Sequence, residues 1–175
     1  MALPYAAVPG EKLRFEDLYR EYVGRIYAYL RSQLDSAADA EDVTAQVFTK
    51  AYEAYGRYEP RQESPAAWLF KIARNAATDL HRQAGRRDRL QRAAAQQPEA
   101  VADPGALAEE RIVYRQLMEL VAGLPERQRQ AIGLRHSGLS FAEVGSLMSC
   151  SEDAAKMLYH RALRTLRAQM PEPQR

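Results

Sequence analysis

Residues 138–167 read GLSFAEVGSLMSCSEDAAKMLYHRALRTLR, and this stretch spells out two helices with a tight break between them. Gly138 stands where a left-handed C-terminal cap is wanted for a preceding helix. Ser140-Phe141-Ala142-Glu143 then makes a capping box, in which the Ser hydroxyl and the Glu carboxylate satisfy each other's otherwise unpaired backbone N–H groups. A short helix from Ser140 to Met148, a break at Ser149-Cys150, and a helix capped by Ser151 and running to about Met170 together give helix-turn-helix spacing.

In the longer helix Ala155, Leu158, Ala162 and Leu166 recur every three or four residues and must face a core. The opposite side presents Lys156, Met157, His160, Arg161 and Arg164. Such a face fits a DNA major groove, where Arg or Lys pairs with guanine O6 and N7 and other cations grip phosphate. Periodicity and charge alone leave a second reading open, a helical hairpin inside a structural bundle. Asp153 suits the positive end of the helix but repels phosphate, so it accepts from a base or stands clear of the DNA backbone.

Outward from this motif the whole chain reads as all-α, because no run of alternating β-branched residues is long enough for a strand. A first helix puts Phe15, Leu18, Tyr19, Tyr22, Ile26 and Tyr29 on one face. A second, with Asp39 as N-cap and Asp42 in its first turn, buries Val43, Val47, Phe48 and Ala51. A third starts at Ser64 as N-cap with Pro65 in the first position, and its apolar face is Leu69, Ile72, Ala73, Ala76 and Leu80. From Arg86 to Ala106 the periodicity fails in a stretch rich in Ala, Gln and Pro, a linker composition. Asp103-Pro104 then caps a helix with the stripe Val113, Leu117, Leu120 and Leu124, and Pro125 opens the next. The expectation is two small helical domains, 11–85 and 107–170, joined by a flexible linker at 86–106.

The 175 residues carry a net charge of only +2, but it is unevenly spread. Residues 1–60 sum to −3, 61–95 to +5, 96–126 to −4 and 127–175 to +4. Phosphate attraction follows local Lys and Arg density, so two separated basic blocks suit a protein that touches DNA at two places; ordinary solvated helix faces would give the same count. The single Cys150 excludes an internal disulfide, and it reads as a small buried residue. His81, His136 and His160 are too scattered for a zinc site. No nucleophile with its base, metal set or glycine-rich phosphate loop is present, so no enzyme and no cofactor is expected. Nothing approaches a membrane span and Met1 to Gly10 lacks signal-peptide order, which points to the cytoplasm.

Several motifs carry a resemblance. Leu124-Pro125-Glu126-Arg127-Gln128-Arg129, Gly138-Leu139-Ser140-Phe141-Ala142-Glu143-Val144, and His160-Arg161-Ala162-Leu163 with Leu166-Arg167 resemble the C-terminal region of bacterial sigma factors. Asp39-Ala40-Glu41-Asp42-Val43-Thr44 with Val47-Phe48, then Ala67-Trp68-Leu69 with Ile72-Ala73-Arg74-Asn75 and Asp79, resemble the N-terminal sigma region. The whole is similar to an extracytoplasmic-function (ECF) sigma factor, a non-catalytic subunit that carries RNA polymerase to promoters.

The resemblance implies roles for named residues. Lys156, Met157, His160, Arg161 and Arg164 would face the minus-35 element. Lys71, Arg74, Asn75, Thr78 and Arg82 form one polar stripe for the minus-10 element. The loop Glu59 to Ser64, with Gln62 and Ser64, would receive an unstacked base, and Trp68 is placed either to stack on it or to fill the core. Glu41, Asp42, Gln46, Thr49, Lys50 and Glu53 would meet the clamp of the polymerase largest subunit. The family's usual Gln-Glu is replaced here by Ala45-Gln46, leaving one amide and one carboxylate contact unmatched. The flap of the second largest subunit, promoter DNA and an anti-sigma factor are the other implied partners, with no membrane contact. A linker of this length averages only about 25 Å as a coil, whereas elements two dozen base pairs apart lie about 80 Å from each other, so docking on polymerase must spread the domains. A decoy that never touches DNA could lose its cations, yet Lys71, Arg74, Lys156, Arg161 and Arg164 are all kept. A lone helix-turn-helix repressor would leave the N-terminal half unexplained.

Overall fold

The computed structural model describes residues 13–91 and 108–170, and the side chains of 13–84 and 113–170. Every regular element in them is helical: α1 (Phe15–Gln33), α2 (Ala37–Ala54), a short 3₁₀ turn (Tyr55–Arg57), α3 (Pro65–Gln91), α4 (Ala108–Ala122), α5 (Glu126–His136), α6 (Phe141–Leu147) and α7 (Glu152–Gln169). The cap expected at Asp103-Pro104 and linker residues 92–106 lie outside the described residues.

The first three helices bury the faces that their spacing demands. Leu18, Tyr22, Ile26 and Tyr29 of α1 meet Val43, Val47, Phe48 and Ala51 of α2, and α3 fills the groove between them. Each such large side chain contributes about 1.5–3 kcal/mol when fully buried. Tyr19 departs from its expected face: it is 45% exposed and meets Phe48 edge-on at 4.8 Å. The N-cap of α2 is Ser36, not Asp39; its hydroxyl accepts from the Asp39 N–H at 3.3 Å. Asp39 keeps its favourable first-turn place, and Asp42 moves one turn in. At α3 the expected cap is present, with Ser64 Oγ accepting from Ala67 N–H at 3.1 Å. That helix runs on to Gln91, past Arg86, because Arg, Gln and Ala propagate a helix without needing a buried face.

Phe70, absent from the expected apolar stripe, is fully buried and edge-on to Tyr29 at 5.5 Å. The helix is covered on two sides: Leu69 and Ala76 serve one, while Phe70 meets Tyr29 of α1 and His81 Nε2 lies 3.0 Å from the Gln33 carbonyl at its end.

In the C-terminal half α4, α5 and α7 close a small core of Val121, Leu124, Ile132, Ala162 and Leu166. The expected α4 stripe holds only at its C-terminal end. Val113 is 64% exposed and Leu117 is exposed too, since α4 extends past the surface it packs on. The remaining apolar residues of this half, among them Ala131, Leu134, Leu139, Val144 and Ala155, join the core of α1–α3. The two halves are therefore packed together. No described helix is long and apolar enough to cross a membrane.

Candidate nucleic-acid interface

The helix-turn-helix is built as its residues dictate. Glu143 N–H donates to Ser140 Oγ at 3.2 Å, and Glu143 Oε2 accepts from the Ser140 N–H and hydroxyl, each at 2.8 Å. Gly138 has φ +91° and ends α5, where any other L residue would be strained. The break is tight: a Cβ on Gly145 would stand 2.8 Å from the Cys150 carbonyl oxygen, so α6 can turn into α7 only over a glycine. Cys150 is half-buried against the core. Ser151 Oγ accepts from Ala154 N–H at 3.1 Å and starts α7. Two arginines of α5 brace the unit, Arg127 donating to the Met148 carbonyl at 3.4 Å and Arg135 to the Leu139 carbonyl at 3.1 Å.

On α7 the core side is Ala155, Ala162 and Leu166, with Leu158 half-buried. The outward side holds Met157, His160, Arg161 and Arg164, all exposed. Lys156 is half-buried, because its ammonium is tied back to Glu152 at 2.9 Å and Asp153 at 3.8 Å, contacts that raise its pKa. Asp153 itself is almost wholly in solvent, in the first turn of α7.

A second surface lies between α2, the 3₁₀ turn and α3, around a cavity of about 610 Å³. Gln62, Trp68, Lys71 and Asn75 line it, four of the residues expected at the minus-10 site. Lys50, expected on the polymerase face, also lines it, and so does Arg57, which periodicity did not single out. Its wall is a stacked pair: Tyr58 and Trp68 lie 4.3 Å apart and 21° from parallel. Tyr58 was missed because it follows the helix, where no spacing rule applies; its hydroxyl donates to the Glu63 carbonyl at 2.9 Å, and burial pushes its pKa up to about 12. Trp68 thus packs one face on Tyr58 and still borders the cavity. Lys71 is 3.7 Å from Glu63 and Arg82 is 3.9 Å from Asp79, both largely exposed pairs.

The other four expected minus-10 residues, Arg82 among them, do not line the cavity. Ser64 donates to Glu143 Oε1 at 2.7 Å, Thr78 donates to the Arg74 carbonyl at 2.9 Å, and Arg74 is half-buried. The α2 residues Glu41, Asp42, Gln46, Thr49, Lys50 and Glu53 are exposed, as is Ala45 among them. Tyr52, 67% exposed beside them, was missed, since an aromatic at that spacing reads as core. Among the described residues no three His, Cys, Asp or Glu side chains gather as a metal site would need.

Residues 18–87 match the model of sigma-70 region 2, and residues 114–166 that of sigma-70 region 4. The ECF RNA polymerase sigma factor BldN of Streptomyces coelicolor is 31% identical over 100% of this chain and 67% of its own length. The RNA polymerase sigma factor CarQ of Myxococcus xanthus is 31% identical, covering 93% of this chain and 92% of CarQ. The chain belongs to the sigma-70 family. It is an ECF sigma factor, an RNA polymerase subunit of transcription initiation. The fold of this sigma factor also matches that of the sigma factor RpoE crystallised with the anti-sigma factor NepR from Bartonella quintana, with a TM-score of 0.74 and 24% identity over 88% of this chain and 94% of RpoE. CnrH, solved with the cytosolic domain of CnrY, matches with a TM-score of 0.66 and 22% identity over 88% of this chain and 85% of CnrH.

Proposed function

We propose that this sigma factor reads two promoter elements with the two surfaces described above. The outer face of α7, with Lys156, Met157, His160, Arg161 and Arg164, lies in the major groove of the minus-35 element. The α3 surface, with Asn75 and Lys71 foremost, takes the minus-10 element, and the cavity beside it receives a base unstacked from the non-template strand. The observation that carries this reading is the cavity: an aromatic wall, two amides (Gln62, Asn75) and three cations (Lys50, Arg57, Lys71) converge on one opening, interleaved with the carboxylates Glu59, Glu63 and Asp79. Extruding a base costs a few kcal/mol, and stacking with hydrogen bonding recovers it without a catalytic residue. Tyr58 and Trp68 supply an apolar edge, Asn75 and Gln62 the hydrogen bonds, and the cations the phosphate contacts.

The exposed polar face of α2 docks the clamp of the polymerase largest subunit, with Asp42 and Gln46 at its centre. The C-terminal half meets the flap of the second largest subunit. Residues 11–85 and 107–170 act as the two working domains, with 86–106 between them. The protein is a non-catalytic cytoplasmic subunit, held in check by an anti-sigma factor.

Run-off transcription with core polymerase over a promoter library, with and without the protein, tests the reading. New start sites are expected with the protein, and they should vanish in the double variant Lys156→Ala, Arg161→Ala. Start sites that persist in that variant would remove α7 from promoter recognition. An Asn75→Ala variant that still opens strands at full rate would do the same for α3.

A further inference from the structure

Helix α7 carries an apolar side chain on its outer face that its packing does not explain. Leu158 packs on the core of α1–α3, and Tyr159 and Leu163 pack on the smaller core, but Met157 is 55% exposed. Among the described residues the only other exposed large apolar side chain of this helix is Met170, at its C-terminal cap. The neighbours of Met157 on the surface are polar: Asp153 precedes it by four residues, His160 and Arg161 follow at three and four, and Arg164 follows at seven, all exposed. Those spacings put the five side chains on one ridge of the helix.

Charge divides that ridge into two parts. At the N-terminal end Lys156 lies 2.9 Å from Glu152 and 3.8 Å from Asp153, so one cation faces two carboxylates and the surface has no net attraction for phosphate. Beyond Met157 the charged groups are Arg161 and Arg164, and there phosphate is attracted. A recognition helix in a major groove brings its N-terminal residues to base edges. Met157 lies in the second turn of α7, which starts at Glu152, and so belongs to the part of the ridge that meets bases.

The major-groove edges of guanine, adenine and cytosine present only hydrogen-bonding groups, whereas thymine adds a C5-methyl. A thioether donates no hydrogen bond and accepts one weakly. Laid against guanine, adenine or cytosine it would take water from polar atoms and leave them without a partner. Laid against thymine it removes the methyl and its own exposed surface from water together. An unbranched chain with three rotatable bonds can adapt its reach to that methyl.

We propose that Met157 is a specificity-determining residue that reads the C5-methyl of a thymine in the minus-35 element, beside the contact made by Arg161. The assignment rests on the minus-35 reading of α7 given above and adds a base to it: promoters of this sigma factor carry a thymine where Met157 meets the groove. Asp153, four residues before Met157 on the same ridge, disfavours a phosphate at that place and so helps to hold the thioether over the base edges.

The test uses holoenzyme assembled from core polymerase and the full chain. Promoter duplexes randomised across the minus-35 region are selected by the native holoenzyme. Each thymine of the selected element is then exchanged for uracil, which keeps the base pairing and removes only the methyl. One exchange should weaken promoter binding about four- to tenfold, the scale of one buried methyl. Met157→Ser should make thymine and uracil equal at that position, while Met157→Leu, apolar and of similar volume, should keep the preference. The loss in Met157→Ser should be the same at low and high salt, whereas loss of a phosphate contact changes the salt slope. An element in which no uracil exchange weakens native binding would overturn the assignment, as would a Met157→Ser holoenzyme that still tells thymine from uracil. If Met157→Ser weakens every duplex alike, Met157 faces a protein surface and the assignment falls while the minus-35 reading stands. If the double variant Lys156→Ala, Arg161→Ala binds the selected promoters as well as the native holoenzyme, the minus-35 reading itself fails and takes the assignment with it.

Discussion

Glu143→Gln is the most informative single change, because one carboxylate serves both the helix-turn-helix cap and the contact with Ser64. Its oxygens accept three hydrogen bonds, from the Ser64 hydroxyl at 2.7 Å and from the Ser140 N–H and hydroxyl at 2.8 Å each. Partial burial pushes its pKa up, but the bonds from Ser64 and Ser140, helped by the Arg25 charge, outweigh that and hold it below the usual glutamate range. The amide keeps the shape and loses the charge. Charged hydrogen bonds contribute about 1.5–3 kcal/mol and neutral ones about 0.5–1.5, and the site is partly open to water, so a loss of about 1–2 kcal/mol is expected at pH 7. The sign with pH follows from the lowered value: the carboxylate's contribution is complete above the unfolded pKa of about 4.3 and is lost as pH falls through the lower folded one. The gap between native and variant protein should therefore close as pH falls below about 4. Urea unfolding followed by circular dichroism at pH 7 and at pH 3.5 measures it. A variant as stable as the native protein at pH 7, or a gap of the same size at both pH values, would refute the argument.

Two further outcomes are measurable by the same unfolding curves. Phe70→Ala should destabilise by about 3–5 kcal/mol, since it empties a fully buried site beside Tyr29; a loss under about 1 kcal/mol would mean that α3 does not seat on α1 as described. Ser151→Ala should cost about 1 kcal/mol through the lost cap on Ala154 N–H and should weaken minus-35 binding by starting α7 loosely, whereas unchanged stability would place that cap elsewhere.

What the sequence made legible were the features that one helix decides for itself. The box Ser140-Glu143, the caps Ser64 and Ser151, the left-handed Gly138 and the core side of α7 all depend on residues within four positions of each other, and all stand as read. Where two local solutions competed, the reading slipped: Ser36 and Asp39 can each cap α2, and the chain uses the earlier one. The residues missed are set by distant neighbours. Phe70 sits off the main apolar stripe and is buried because α3 is covered twice. Tyr58 lies in a loop, where stacking on Trp68 has no sequence period. The exposed Val113 shows the converse, an apolar stripe longer than the surface available to cover it. For the candidate site the same rule holds, since Gln62, Trp68, Lys71 and Asn75 converge on the cavity while Ser64 bonds Glu143 of the opposite half of the chain and Arg74 is half-buried.

The cations of α7 are not equivalent, and this bears on how the double variant should behave. Lys156 is held by Glu152 and Asp153, an acidic pair that also favours the N-terminus of α7, whereas among the described residues no carboxylate lies within ion-pair distance of Arg161. Exposed ion pairs are worth at most about 1 kcal/mol, so DNA can take Lys156 from its partners, but the exchange leaves two carboxylates facing phosphate. On the proposed minus-35 reading Arg161 would make its contact without that penalty, with a fork that matches guanine or phosphate. Replacing Arg161 alone should therefore account for most of the lost binding and lower the salt slope by about 0.9, the value of one phosphate contact. On the same proposed reading Lys156 would act chiefly as a shield, keeping Glu152 and Asp153 neutralised at the end of the helix that approaches the groove.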